Sequence, residues 1–429
     1  MTIVACSTPP GTSGIAVVRI SGKDAIKNVS NFIKDCPFNE KSPGSKICLL
    51  VDKDGLIFDE AVVTSYLGPN SYTGENLVEV SCHGNPNIVS KIIDLSVGGG
   101  ASLAEPGEFT KRAFLNGRLD LSEAESVSAI IHSKSIAGVK AGVKNLKGGL
   151  SKRIGLIKSD LVSVVANLEF NLDISEEDLQ PNLIKNSKSS LSKSVETLQG
   201  CVDAFNETRM FQLGASVVIL GPPNAGKSTL FNLLVNKNQS IVTEIEGTTR
   251  DVVEKNINID GLPILLKDTA GIRESNNRVE KIGVERSLAE EKNADLVIVL
   301  NDAGRSFGKD KYVHVFNKSD INTPDGDYDV IVSAKTGDNI QKLKETIYKA
   351  LINEDIQHDT FLTSKRQHIA VESALKHVKD ALSLLLGSDS LELIVEDINR
   401  SIDFLDSITS KTTKDDVLDE VFSSFCVGK

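Results

Sequence analysis

The chain has 429 residues, 40% of them hydrophobic and 25% charged, which is the composition of an ordinary soluble protein long enough for two to four domains with separate cores. No apolar run reaches the length of a membrane span, and Met1-Thr2-Ile3-Val4 reads as the start of a strand-like pattern, so that no signal or transit segment is expected. A formal net charge of −11 argues against broad, charge-driven nucleic-acid binding while leaving room for a local basic surface.

From the N-terminus, Ile3-Val4-Ala5 and Ile15 to Ile20 read as strands joined by the turn-rich Thr8 to Gly14. Further strands are expected at Ile47–Val51, Glu60–Tyr66 and Leu77–Cys82, and a helix over Pro86–Leu95 that breaks at Gly98-Gly99-Gly100. From about residue 119 the period changes. Leu146, Leu150, Ile154, Ile157, Leu161, Val164 and Leu168 recur at steps of three and four, the signature of one long amphipathic helix, and Leu191, Val195 and Leu198 predict another. Strands and helices alternate from about 214 to 352. Helices then return: Val371 to Leu385, Leu391 to Leu405, and a last one through Val417, Val421 and Phe425 with Thr413 as N-cap. The simplest arrangement is a multidomain α/β chain: an N-terminal α+β domain (1–118), a helical domain split in sequence (119–212 and 353–429), and a Ras-like P-loop domain (213–352) inserted between its halves. Two separate helical domains are the alternative. The six cysteines, Cys6, Cys36, Cys48, Cys82, Cys201 and Cys426, form no C-x-x-C pair and no zinc spacing, and are expected to be reduced thiols in a cytoplasm.

The inserted block carries the chemistry. Gly221 to Ser228, GPPNAGKS, fits G-x-x-x-x-G-K-[ST] without a gap and lies between the apolar run Ala215 to Leu220 and a helical pattern at Leu230, Leu233 and Leu234. Backbone N–H groups of such a loop, here through Asn224, Ala225 and Gly226, nest phosphate oxygens. Lys227 would reach the β- and γ-phosphates, the Ser228 hydroxyl would sit on Mg²⁺, and Thr229 follows. About twenty residues on, Gly247-Thr248-Thr249-Arg250-Asp251 stands where a switch segment belongs, with Thr249 the choice for Mg²⁺ and the γ-phosphate. Asp268-Thr269-Ala270-Gly271 follows Ile264-Leu265-Leu266, so that Asp268 would hold the metal through water and Gly271 would donate to the γ-phosphate. Asn317-Lys318-Ser319-Asp320 offers, in Asp320, two acceptor oxygens for the two adjacent donors of guanine, which adenine lacks. Ser333-Ala334-Lys335 completes the base pocket, and the nucleotide is therefore expected to be GTP. Ile272 stands where many small GTPases place a water-orienting Gln, so catalysis needs another source of charge and water positioning. Arg273, Glu274, Glu280 and a bound cation are the candidates.

The outer segments carry a resemblance. Pro9-Pro10-Gly11, Val18-Arg19-Ile20-Ser21-Gly22, Ser71-Tyr72-Thr73-Gly74-Glu75, Cys82-His83-Gly84, Pro106-Gly107-Glu108-Phe109, Ala113 to Leu121, Asp268 to Glu274 and the terminal Cys426-Val427-Gly428-Lys429 are similar, over nearly the whole chain, to the bacterial tRNA modification GTPase family MnmE (TrmE). The resemblance implies a homodimer joined through an N-terminal domain that binds 5-formyl-tetrahydrofolate or a related tetrahydrofolate. Arg19, Glu79, Arg118 and Lys429 match the folate contacts; the cations suit the carboxylates of the ligand and Glu79 suits its pterin N–H groups. The family often has Lys where Arg118 stands, which keeps charge but changes geometry.

The resemblance also implies a K⁺ ion beside the phosphates, with ligands at Asn224 and within Thr243, Glu244, Ile245, Glu246, Gly247 and Thr248 (Thr243, Ile245 and Thr248 being the positions assigned), and a water-orienting role for Glu280. Lys227, Thr249 and Glu280 are thus the catalytic candidates. It implies an FAD-containing partner, MnmG, in a heterotetramer, and tRNA as substrate. Cys426 reads two ways, as an activated nucleophile near the folate or as a structural residue after an amphipathic helix. One departure stands out: only eleven residues, Asn301 to Lys311, separate two strands that a helix normally links, so that helix must be very short or absent. Two rival readings remain open at this stage: a non-enzymatic GTP-gated ribosome or RNA assembly switch, and a one-carbon transferase merely regulated by GTP.

Overall fold

Alternating burial along the first strands sets the architecture of the N-terminal half. In the structure, a computed structural model, the described residues are 1–34, 43–172, 181–237, 253–268, 290–302, 311–324, 326–352, 362–387, 391–410, 415–423 and 425–429. They fall into two compact units, one of residues 1–128, 145–190 and 376–429, the other of 129–144 and 191–375.

In the first unit, β1 (Ile3–Cys6), β2 (Ser13–Ser21), α1 (Ala25–Ser30), β3 (Ile33–Lys34), β4 (Gly44–Val51), β5 (Ile57–Tyr66), β6 (Leu77–Gly84), α2 (Pro86–Gly98) and β7 (Ser102–Leu103) build a seven-stranded sheet. Its order is β3-β4-β5-β6-β2-β1-β7. All pairings are antiparallel except β1 with β7. Residues two apart along a strand share a face. Val18, Ile20, Val78, Val80, Val4 and Val63 therefore all turn to one side, where they pack with Ala25, Val29 and Ile92 of α1 and α2. The opposite side carries Ile3, Ala5 and Leu77, closed by Phe109. Register places Arg19 opposite both Ala5 and Glu79, and Glu79 opposite Thr64, so this second face has a polar row through its centre.

The chain continues through α3 (Glu108–Leu115), α4 (Leu121–His132), α5 (Ile136–Leu146), α6 (Gly149–Leu172) and α7 (Pro181–Asp203). After the inserted block come α11 (Lys365–Gly387), α12 (Leu391–Thr409) and α13 (Asp415–Ser423). Within the first unit α6 packs along α12, where Lys158 also meets Asp406. Phe422 and Phe425 of the chain end join Phe114 and Leu121 in one cluster, which ties the C-terminus to α3 and α4. At roughly 1.5–3 kcal/mol for each large apolar side chain buried, this docking is a stable attachment.

The second unit contains α8 (Phe205–Leu213), β8 (Ala215–Leu220), α9 (Lys227–Lys237), β9 (Val253–Ile259), β10 (Leu262–Asp268), β11 (Leu296–Leu300), β12 (Tyr312–Phe316), β13 (Val330–Ile331) and α10 (Ile340–Leu351). The sheet order is β13-β12-β11-β8-β10-β9. Only the β9–β10 hairpin is antiparallel. Buried on both faces, β8 and β11 read as continuous apolar runs. Leu230 and Leu234 of α9 and Leu343 and Ile347 of α10 fill the core on one side. This is the P-loop GTPase arrangement within a mixed α/β chain.

Two expectations are corrected. The long helix does not begin at Leu146: α5 ends there, and Lys147 and a left-handed Gly148 (φ 78°) turn the chain into α6. Cys48 is not a reduced thiol but disulfide-bonded, and Cys36 lies outside the described residues. Cys6, Cys82, Cys201 and Cys426 form no disulfide. β11 and β12 pair in parallel with Asn301 to Lys311 as their crossover, whose residues 303–310 lie outside the described set, as does Thr413. No helix among the described residues is long and apolar enough to cross a membrane.

Candidate functional site

The phosphate loop leaves β8 and enters α9, with Asn224 at φ 62° and Gly226 at φ 91°. A side chain at Gly226 would be strained by that φ, and its Cβ would lie 2.4 Å from the Asn317 amide nitrogen. That closeness is used. Asn317, 1% exposed at the end of β12, donates through Nδ2 to the Ala225 carbonyl at 2.8 Å, and its Oδ1 accepts from the Ala334 N–H at 3.0 Å. Its own N–H donates to Asn301 Oδ1 at 2.6 Å. One buried side chain thus joins the phosphate loop to both base-pocket segments. Asp320 Oδ1 accepts from the Ser333 hydroxyl at 2.7 Å, which holds one carboxylate oxygen in place. Lys318 has φ 69°, and Lys335 is exposed.

Lys227 Nζ donates to the carbonyls of Gly221 (2.8 Å) and Pro222 (3.0 Å), which places its ammonium at the mouth of the loop. Burial pulls its pKa below the ordinary lysine value, opposed by the charge of Asp268. Ser228 Oγ donates to Asp268 Oδ2 at 2.9 Å, and Asp268 is 4% exposed at the end of β10. A hydroxyl and a carboxylate side by side at the start of the helix form an oxygen-only donor set that suits a hard divalent cation. Thr229 and Asn224 are exposed on the loop and helix start. Thr243, Glu244, Ile245, Glu246, Gly247, Thr248, Thr249, Thr269, Ala270, Gly271 and Glu280 lie outside the described residues.

The second site lies in the other unit. Arg19 donates to Glu79 Oε1 through Nη2 (2.7 Å) and Nε (3.0 Å), a two-pronged, charge-assisted contact. The guanidinium sits 5.4 Å from the Tyr72 ring centroid and 5.7 Å from that of Phe109. Tyr66 OH donates to the other Glu79 oxygen at 3.3 Å. The chain terminus closes the site: Arg19 Nη1 (3.3 Å) and Ser7 Oγ (2.9 Å) both donate to the Gly428 carbonyl, and Val427 bridges Pro106. Gly428 has φ 90°, and a Cβ there would lie 2.4 Å from the Cys6 carbonyl oxygen.

Lys429 is close enough to this cluster to feel it. Burial, then the Arg19 charge, pull its ammonium below the ordinary lysine range, against the pull of Glu79 and Cys426. The structure therefore brings Arg19, Glu79 and Lys429 together, with Cys426 nearby but exposed. Arg118 is exposed beside Gly74, and among the described residues no hydrogen bond or ion pair links it to the Arg19–Glu79 pair. Tyr66, Tyr72, Phe109 and Ser7 were not singled out as site residues from the sequence; the two-residue spacing of Glu79 and Leu77 marks their shared face.

The first 118 residues match the family model for the GTP-binding protein TrmE N-terminus (residues 2–118), and the rest the model for the MnmE helical domain (residues 121–426). Proteins named tRNA modification GTPase MnmE from Thermotoga petrophila and Thermotoga maritima are 37% and 36% identical, each over 100% of both chains. The chain belongs to the MnmE family of tRNA modification GTPases. A crystal structure of Aquifex aeolicus Era is 26% identical over 38% of this chain and 66% of its own, with a TM-score of 0.25. As a GTPase of the MnmE family the chain binds GTP.

Proposed function

We propose that the chain is a potassium-stimulated GTP hydrolase that works with an FAD-containing partner, MnmG in this family, on the wobble uridine of certain tRNAs. The product would be the aminomethyl or carboxymethylaminomethyl group at C5, its one-carbon unit coming from 5-formyl-tetrahydrofolate. The observation that carries this reading is the cluster of Arg19, Glu79 and Lys429, assembled from opposite ends of the chain beside two aromatic rings. A GTPase needs no such cluster, whereas a ligand with a flat donor-bearing ring suits a carboxylate held between cations and aromatic rings. Glu79, held by Arg19, would accept from ring N–H groups, Lys429 would pair with a carboxylate of the ligand, and Arg118 would contribute from the edge.

At the nucleotide, Lys227 would leave its two carbonyl partners for the β- and γ-phosphate oxygens, and Asp320 would accept the guanine N–H groups. Ser228, with Thr249, would hold Mg²⁺, whose chemistry there is to neutralise phosphate charge. Asn224, Thr243, Ile245 and Thr248 would hold K⁺, and Glu280 would orient the attacking water. The reading includes a cytoplasmic homodimer joined through residues 1–118, with domain limits at 118, 212 and 352.

GTP turnover in K⁺ against Na⁺, for the wild type and Glu280→Ala, tests the hydrolytic half. Strong K⁺ stimulation and loss of hydrolysis with retained binding in the variant are expected; equal rates in both salts contradict it. Nucleoside analysis of tRNA from a deletion strain tests the other half, and an unchanged wobble uridine contradicts it.

A further inference from the structure

In a chain with 59 acidic residues among 429, a stretch of 34 residues should carry about five. Residues 126–159 carry none. The same stretch holds seven cations: Lys134, Lys140, Lys144, Lys147, Lys152, Arg153 and Lys158. A local run of positive charge in the sequence is what a −11 net charge leaves open.

The structure shows how its centre is held. In the second unit, α5 is clamped along one side by close approach. A Cβ on Gly138 would fall 2.9 Å from the Phe211 carbonyl oxygen at the end of α8, and one on Gly142 would fall 2.6 Å from Ile130 of α4. The Ser135 hydroxyl donates to the same Phe211 carbonyl and accepts from the Gly138 N–H, and the Lys134 N–H donates to the Gln212 carbonyl. Ala141, Gly142 and Asn145 are buried, so the opposite side of the helix, with Lys140, Val143 and Lys144, faces solvent. Lys140 and Lys144 are one turn apart on that side, at roughly 6 Å along the axis, close to the spacing of successive phosphates on a nucleic-acid strand. Lys134 is exposed at the helix entry. Among the described residues, Lys134 and Lys140 make no side-chain ion pair.

We propose that the solvent side of α5, through Lys134, Lys140 and Lys144, is a docking surface for the phosphate backbone of RNA. The proposal rests on the tRNA substrate of the preceding reading and adds the place where the polyanion lies. Charge complementarity selects the occupant: exposed lysines on a fixed helix, in a stretch of sequence without acids, attract phosphates regardless of base sequence.

The test is titration of an unmodified tRNA transcript with the full-length chain at salt from about 50 to 200 mM. Lys140→Ala/Lys144→Ala is compared with Lys342→Ala/Lys349→Ala, a pair of exposed lysines on α10 that changes net charge equally. The first pair should weaken binding roughly tenfold and lower the steepness of log affinity against log salt by about two, with GTP hydrolysis and thermal unfolding unchanged. The control pair should stay near wild type, and Lys140→Arg/Lys144→Arg should retain binding. The proposal is overturned by an α5 pair that binds like wild type, by a control pair that loses as much, or by a wild-type chain that binds no tRNA. Nucleoside analysis of the deletion strain separates the two levels: altered wobble uridine with unaffected α5 variants removes only this surface, whereas unaltered tRNA removes the functional reading itself.

Discussion

Asn317 and Ala225, 92 positions apart in sequence, are joined by a buried 2.8 Å hydrogen bond that ties the Asn317–Asp320 segment to the Gly221–Ser228 loop. The same side chain also accepts from Ala334. The proposed grips on the base and on the phosphates would therefore be mechanically one object.

Replacing Asn317 with Ala removes both bonds and leaves a buried N–H and a buried carbonyl without their partner. At about 1–3 kcal/mol for each group left unsatisfied, the second unit should unfold at lower denaturant, and guanine-nucleotide affinity should fall at least roughly tenfold. Chemical denaturation and titration with a fluorescent GTP analogue measure both. Unchanged affinity would mean that the two loops are positioned independently.

Asp320→Asn tests the base pocket. The carboxylate accepts twice, whereas an amide presents a donor in place of one acceptor, which suits a base with a carbonyl where guanine has its amine. GTP binding should weaken by about 1.5–3 kcal/mol, the worth of hydrogen bonds to a charged group, and xanthosine triphosphate should bind better than it does to the wild type. Competition binding with the two nucleotides decides it.

Gly428→Ala addresses the other site. With φ at 90° and the Cys6 carbonyl 2.4 Å from the added carbon, the terminal segment must lift from the sheet. Calorimetric titration with 5-formyl-tetrahydrofolate should then show a loss of binding, while GTP hydrolysis persists because that machinery is in a different compact unit.

The Lys429 ammonium supplies a pH dependence. Its pKa is lowered from the ordinary lysine value, by burial first and by Arg19 second, so it loses its proton earlier than an ordinary lysine as pH rises. A neutral amine cannot pair with a carboxylate. Folate affinity should therefore be full at neutral pH and decline on the alkaline side before pH 10.5 is reached. Lys429→Arg, which keeps its charge, should flatten the decline; a profile identical to wild type would take Lys429 out of the site.

How much of this was legible in the sequence depends on how local the cause is. The phosphate loop was readable because its strand, glycines, lysine and helix are contiguous, and the strands β2, β5 and β6 because alternation survives in them. Arg19 and Glu79 could be named only through the family resemblance, since their pairing is a matter of register between strands sixty residues apart. The helix at Glu108–Leu115 is not among the elements expected from the sequence. It starts from a left-handed Gly107, where an added Cβ would lie 2.6 Å from the Phe422 carbonyl, so packing from the far end of the chain dictates it. The turn at Lys147-Gly148 interrupts a hydrophobic period that runs through it unbroken. The role of Asn317 as a bridge had its residue type as the only signal, and the disulfide at Cys48 had no spacing to announce it.

The central claim is that one chain couples a GTPase to a one-carbon site built around Arg19. The most direct measurement is nucleoside analysis of tRNA from a deletion strain carrying Arg19→Met, with GTP turnover of the same purified variant alongside. The account predicts normal hydrolysis and loss of the modified wobble uridine. Full modification in that strain would contradict it.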